Sequence, residues 1–427
     1  MMMSKQPSGA QEFVHVPCPF CGLLCDDLRI AISERTATVL ANGCTKSRRL
    51  FGAASDADGT PLVNGKPATM KVAAGKAAAI LREARQPVLI SAGTDVAGMR
   101  ALLELAELTG GIVDHLAGDA MMRNFLVLQD GGWISTTLTE VRNRADLLIV
   151  AGTDISSRFP RFFERLFGNF DSLFTTGERE ICFLGAMPQD LPAPLRPRAT
   201  SIAVEPKRLG EIFGALRSLF AGKALIAKTV AGIATQELAA LLARMQKARY
   251  GVLTWAAADL AFPHAELAIQ SMCELVTALN ASRRFAVLPL GGTDGDLTAA
   301  QVTTWQTGFP LRVSFAGGKP AYDPWQNSAQ RLLARNEADA VVFVSALDAA
   351  HVPLKSEAPA IVLGRPGTRS GNCSVFIPVA TPGLHHEGHL FRTDNVVALR
   401  VRKLAESTLP SAAQTLRMIL GAMETRP

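Results

Sequence analysis

The chain has 427 residues, of which 48% are apolar and 19% charged, so it can bury a sizeable core and lies outside the disordered classes. Its 44 basic and 38 acidic residues leave a charge of +6 with no Lys/Arg block, which argues against a nucleic-acid partner. No apolar run reaches the roughly 18 residues of a membrane span, and the polar opening MMMSKQPSGAQE lacks a signal-peptide core; no membrane partner and a cytoplasmic location are expected.

Residues 1–12 read as a disordered tail. A small cysteine-bearing module follows, in which Leu28 to Leu40 alternates apolar and polar residues as a strand pair does. Residues 46–70 carry Gly, Pro, Asn and Asp and read as a connector with a turn. From residue 71 the rhythm changes. KVAAGKAAAILREAR predicts an Ala-rich helix, PVLISAG a short buried strand, and VAGMRALLELAELTG a helix with apolar spacing of three and four. GIVD and ADLLIVAG predict further strands, and SSRFPRFFERLFGNF a helix after Pro160. ICFLGA and ATSIAVE predict strands, followed by a helix near 209–221. GVLTWA and FAVLPLGG then flank a long helix near 264–281. Residues 322–345 predict a helix and then a strand, 374–404 a mostly β closing segment, and 405–427 a surface helix. Strands alternating with helices of ten or more residues imply parallel sheets with helical crossovers, an α/β architecture.

Seven cysteines are present, four within the first 44 residues. An odd total in a large chain of cytosolic type argues against a disulfide framework. Cys18, Cys21, Cys25 and Cys44 form a C-x2-C-x3-C run with a distant fourth member. Three thiolates from one loop and a fourth from the end of a strand pair suit a 4Fe–4S cluster. Zinc ribbons instead pair two C-x2-C knuckles. The same loop could also hold no metal. Lys46 follows Cys44 by two residues, either as a cation beside a cluster or as an ordinary surface lysine.

Other motifs are weaker. Ala92-Gly93-Thr94-Asp95, Ala151-Gly152-Thr153-Asp154 and Gly291-Gly292-Thr293-Asp294 each follow an apolar strand. Ligands bind at such strand ends in open α/β sheets, but none completes a GxGxxG, and strand-to-helix turns favour Gly, Thr and Asp in any case. His385, His386 and His389 lie in a Gly/Pro-flanked loop without the helical HExxH spacing. Arg158, Arg161 and Arg165 would share one helical face and read as a solvated or subunit-facing surface. Cys182 and Cys273 read as core thiols, and Cys373 as a loop thiol without a reactive setting.

The opening Cys18-Pro-Phe-Cys-Gly-Leu-Leu-Cys-Asp-Asp and Asn42-Gly43-Cys44-Thr45-Lys46 resemble the cluster motif in the B subunit of formylmethanofuran dehydrogenase, a family of molybdopterin/tungstopterin oxidoreductases. The likeness continues at Glu140-Val-Arg-Asn-Arg-Ala-Asp146, Thr304-Trp-Gln-Thr-Gly-Phe-Pro310, Tyr322-Asp-Pro324, and Glu387-Gly388 with Arg392 and Asp394-Asn395. The resemblance implies several Rossmann-like parallel-sheet units in a reduced molybdopterin-oxidoreductase-like fold, with a small N-terminal Cys-rich β module. The corresponding segments are a tail (1–12), the cluster-type module (13–60), α/β units around the metal-ligand position (61–250), an α/β unit (251–373) and a mostly β closing segment with a C-terminal helix (374–427).

In active members a Cys or selenocysteine holds the pterin-bound metal. The matching stretch here, 113–129, contains no cysteine. Ala117, Gly118 and Asp119 stand where the ligand and its His-Gly neighbours would be, and Mo or W in this family calls for a soft thiolate or selenolate. The resemblance therefore implies no catalytic residue, no Mo/W pterin, and likeness to the B subunit of the bacterial formyltransferase/hydrolase complex of methylotrophs. That complex moves a formyl group from formyl-tetrahydromethanopterin to methanofuran and hydrolyses formylmethanofuran to formate. Implied partners are its amidohydrolase-like A, its C and its formyltransferase D subunits. Two alternatives stand beside this non-redox structural role. One is an active formylmethanofuran dehydrogenase subunit with Mo/W pterin and a 4Fe–4S cluster. The other is a stand-alone iron–sulfur or zinc regulatory module. The four N-terminal thiols could keep a structural cluster, bind zinc or stay empty.

Overall fold

A computed structural model describes residues 10–33, 36–53, 59–168, 179–291 and 294–424. Packing divides the chain into two compact units, Met1–Gly118 with Thr293–Pro427, and Asp119–Gly292. The first is discontinuous because the strand Ala340–Ser345 pairs in parallel with Pro87–Ser91, more than two hundred residues earlier.

The first unit holds a nine-stranded sheet. Its parallel part runs Ile112–His115, Pro87–Ser91, Ala340–Ser345, Ala360–Gly364, Val375–Pro378. In chain order this is second, first, third, fourth, fifth, a doubly wound arrangement whose switch point lies between Pro87–Ser91 and Ala340–Ser345. Both of these strands are buried throughout, as continuous Val/Ile/Leu-rich runs covered on two faces should be. The helices Met70–Glu83 and Val96–Thr109 lie where the 3.6-residue period places them. The expected strand pair is Leu28–Ser33 with Thr36–Ala41. A third strand, Gln11–Val16, joins it antiparallel and begins inside the segment read as a tail. Residues 1–9 of that tail lie outside the described residues.

Two sequence expectations are corrected in this unit. The connector read at 46–70 contains the helix Thr45–Gly52, capped by the Cys44 sulfur, which accepts from the Ser47 amide at 3.4 Å. Cysteine is outside the usual Ser/Thr/Asp/Asn capping set, and so the helix start carries no sequence signal. The 374–404 stretch is also not all one closing segment: Val375–Pro378 is a member of the nine-stranded sheet, while Gly388–Phe391 and Ala398–Val401 form a separate hairpin.

The second unit holds a five-stranded parallel sheet ordered Ala199–Ile202, Glu180–Leu184, Leu147–Ala151, Tyr250–Ala256, Arg284–Leu290. Its order is third, second, first, fourth, fifth, with the switch point between Leu147–Ala151 and Tyr250–Ala256. Leu209–Phe220 and Ala265–Leu279 pack on it through Ile212, Phe213, Ile269 and Met272, all fully buried. Arg158, Arg161 and Arg165 do not share a helical face. Arg158 ends the short helix Ile155–Arg158, Arg161 precedes Phe162–Phe167, and only Arg165 lies within it. Among the described residues no helix is long and apolar enough to cross a membrane.

Candidate functional site

The cysteine loop closes on itself: the Cys18 amide donates to the Cys25 carbonyl at 2.8 Å, and the Leu24 amide to the Cys21 carbonyl at 3.1 Å. Cys18, Cys21 and Cys25 are buried and Cys44 half-buried, all as free thiols. They lie close enough to act on one another's charge. Burial raises the Cys18 thiol well above its ordinary range, and Cys21, Cys25 and Cys44 add to the rise. Burial likewise pushes Cys21 up to about 11, with Lys46 opposing and Cys44 and Asp294 adding. Among the described residues no three His, Cys, Asp or Glu side chains converge as they would on a single metal ion. A 4Fe–4S cluster differs from a zinc tetrahedron in taking each thiolate on a different iron.

Beside the loop lies a charged network that sequence reasoning missed. Lys46 Nζ pairs with Asp294 Oδ1 at 3.2 Å, and His351 Nε2 faces Asp294 Oδ2 at 3.2 Å. The Ser345 hydroxyl donates to the Asp348 carbonyl at 2.7 Å and accepts from His351 Nδ1 at 3.1 Å, which fixes the ring. Arg49 clamps the Asp348 carboxylate with two bonds, at 2.7 and 3.3 Å. Lys46 and Arg49 both ride on the helix Thr45–Gly52. Asp348 and His351 follow the strand Ala340–Ser345, so the network gathers at the switch-point end of this sheet. The buried Arg365 guanidinium donates to the carbonyls of Leu50 and Leu347 and lies 5.6 Å from the Phe20 ring centroid. Phe20 in turn meets Phe51 edge-on at 4.8 Å. One cation thereby ties the cysteine loop, the Lys46 helix and the strand-end loop together.

The ligand position of the resembled family lies just after the strand Ile112–His115. Ala117 carries no donor side chain and Asp119 is exposed. A side chain at Gly118 would collide with Asp114, whose Oδ1 lies 2.3 Å from the Cβ position. Asp114 cannot readily move away. It accepts from the His115 and Ala329 amides at 2.8 and 2.9 Å and pairs with the buried Arg312 at 3.4 Å. His115 accepts from the Ala117 amide through Nδ1 at 3.0 Å, which leaves the proton on the buried Nε2. Burial lowers this imidazole to about 4; Asp294 opposes the fall and His351 adds to it. The stretch thus offers a hydrogen-bond donor and a committed carboxylate, not the thiolate or selenolate expected from the resembled family. The residues do not fit a pterin-bound metal.

The remaining candidates have ordinary roles. Asp95 and Asp154 cap helices by accepting from Gly98 at 3.0 Å and Ser157 at 3.2 Å. In the third echo Gly292 and Thr293 lie outside the described residues. His385 accepts from the Thr381 amide, and His386 Nδ1 meets the Glu387 carbonyl. Cys182, Cys273 and Cys373 all have thiols raised by burial, Cys273 to about 12.

No protein-family model matches the chain. Whole proteins do. The chain is 29% identical over 409 residues to the B subunit of tungsten-containing formylmethanofuran dehydrogenase 2 from Methanocaldococcus jannaschii, covering 92% of this chain and 93% of that one. It is 27% identical over 376 residues to the B subunit of the formyltransferase/hydrolase complex of Methylorubrum extorquens, covering 85% and 97%. A crystal structure of that complex with methylofuran contains a chain that superposes with a TM-score of 0.73 at 26% identity, over 85% of this chain and 98% of that one. Acetylene hydratase from Pelobacter acetylenicus superposes at 0.64 with 10% identity, over 96% and 69%, which shows a shared fold. The similarity to the B subunits of formylmethanofuran dehydrogenase and of its bacterial counterpart, and the molybdopterin-oxidoreductase-like α/β fold, are therefore borne out.

Proposed function

We propose that this chain is the non-redox structural B subunit of a formyltransferase/hydrolase complex, assembled with amidohydrolase-like A, C and formyltransferase D subunits. The complex would convert formyl-tetrahydromethanopterin through formylmethanofuran to formate in one-carbon oxidation. The observation that carries this reading is the position around Gly118. No thiol occurs in 113–129, Ala117 has no donor side chain, and the space a side chain would need at the neighbouring Gly118 is taken by a carboxylate held in place by Arg312 and two amides. Similarity along 85% of the chain to the bacterial B subunit supports the partner set.

Cys18, Cys21, Cys25 and Cys44 would hold a 4Fe–4S cluster, which supplies one-electron storage when bound. With no metal-bound pterin to exchange that electron, its contribution would be to the fold of the loop. Elemental analysis of the intact complex tests both statements: W and Mo should be absent, and Fe should appear with about four atoms per chain. Stoichiometric W or Mo, or viologen-linked oxidation of formylmethanofuran, would instead establish the active dehydrogenase alternative.

A further inference from the structure

The five-stranded sheet of Asp119–Gly292 carries the parts of a ligand crevice at its switch point. In such sheets an anionic ligand lies outside the carboxyl ends of the strands, where a glycine turn lets the backbone approach it. The turn after Leu147–Ala151 has that form: Gly152 adopts φ +60°, and Thr153 follows. The space above Gly152 is nevertheless occupied. A Cβ built there would meet Leu209 at 2.8 Å, Leu260 at 3.1 Å and Pro206 at 3.3 Å, and both leucines are fully buried.

The polar side of the crevice is occupied as well. Thr153 Oγ1 donates to Asp259 Oδ2 at 2.9 Å and accepts from the Ala256 amide at 2.9 Å. Arg158 donates to Asp259 Oδ1 through Nε at 2.9 Å and again through Nη2. Asp259 sits in the turn just past Tyr250–Ala256, its amide donating to the Ala256 carbonyl at 2.9 Å. A hydroxyl and a guanidinium fork converging at a switch point are suited to phosphate oxygens. Here both serve a carboxylate from the same chain.

We propose that Thr153 and Arg158 form a site for a phosphate-class anion, and that Asp259 occupies it as a built-in substitute, closing this crevice to phosphorylated ligands. The inference rests on the non-redox reading above and deepens it: a chain that takes no phosphorylated cofactor has no use for an open anion position at this switch point.

The test is rescue by an external anion in the intact complex. The wild-type, Asp259→Ala and Arg158→Met/Asp259→Ala complexes are melted with and without inorganic pyrophosphate at matched ionic strength. Asp259→Ala should melt below wild type, and pyrophosphate should raise its midpoint by about 2–4 °C more than that of wild type. The double variant should lose this gain. Equal gains in wild type and Asp259→Ala, no gain in Asp259→Ala, or a gain retained in the double variant would each overturn the proposal. If Asp259→Ala does not assemble, Asp259→Asn keeps the volume and carries the same comparison with the same expectations. Tungsten or molybdenum in the wild-type complex defeats the non-redox reading and the inference with it, whereas an unresponsive Asp259 variant of a complex free of both metals defeats the closed site alone.

Discussion

Arg365 is the group whose loss should be felt most strongly around the cysteine loop. Its side chain is 2% exposed, and its guanidinium serves the Leu50 and Leu347 carbonyls while lying over Phe20. Burial pulls it down to about 10, so it stays charged at neutral pH, with Asp348 favouring the charge. Arg365→Met keeps most of the apolar stem and removes the donors. Two buried carbonyls then lose a partner, at about 1–3 kcal/mol each. The desolvation cost of the cation is relieved at the same time, so the net loss should be near the lower half of that sum, about 2–4 kcal/mol. For a unit of this size each kcal/mol moves the midpoint by about 2–4 °C, which gives a fall of about 4–16 °C. Scanning calorimetry of the purified complex reads this directly. The variant should also expose the Cys18 and Cys21 thiols to alkylation, because Phe20 and the helix carrying Lys46 lose their common anchor. An unchanged midpoint with unchanged thiol protection would refute the view that this cation ties the three segments together.

Two further predictions follow from the titrating groups. His115 falls from 6.5 to about 4 on folding, so between those values the unfolded chain binds a proton that the folded chain refuses. Stability from this group is full above pH 6.5 and is lost as pH drops toward 4, by at most about 3 kcal/mol. His115→Asn keeps an acceptor for the Ala117 amide and should flatten that acid limb in denaturant titrations at pH 7 and pH 5; an equally steep limb would exclude His115 as its source. Cys21, raised to about 11, should be about one part in a thousand thiolate at pH 8 in metal-free protein. Iodoacetamide should therefore label it at least tenfold more slowly than an unstructured peptide thiol, as read by mass spectrometry, and matching rates would show that the loop is open.

Local pattern was enough for much of the fold. Fully apolar runs such as PVLIS and AVVFVS mark strands covered on both faces, because only crossover helices can shield both sides. The spacing of Cys18, Cys21 and Cys25 places three thiols on one short loop, since neighbouring groups on a short segment need no long-range information. The missing thiol in 113–129 is likewise a fact of sequence alone. The helix Thr45–Gly52 was not legible, because its start is capped by a cysteine sulfur and its buried face is only Ser47, Leu50 and Phe51.

What only the tertiary structure decided is which distant groups meet. Lys46 and Asp294 are 248 positions apart, and nothing in GGTDGD distinguishes an aspartate that neutralises a lysine from one that caps a helix. The Asp259 carboxylate, in an Ala-rich turn, carries no mark of the arginine a hundred residues earlier that holds it. Sequence records which donors exist. Whether a crevice is open or filled depends on parallel strands bringing separate segments to one sheet edge, and on the need of buried charges to find partners there.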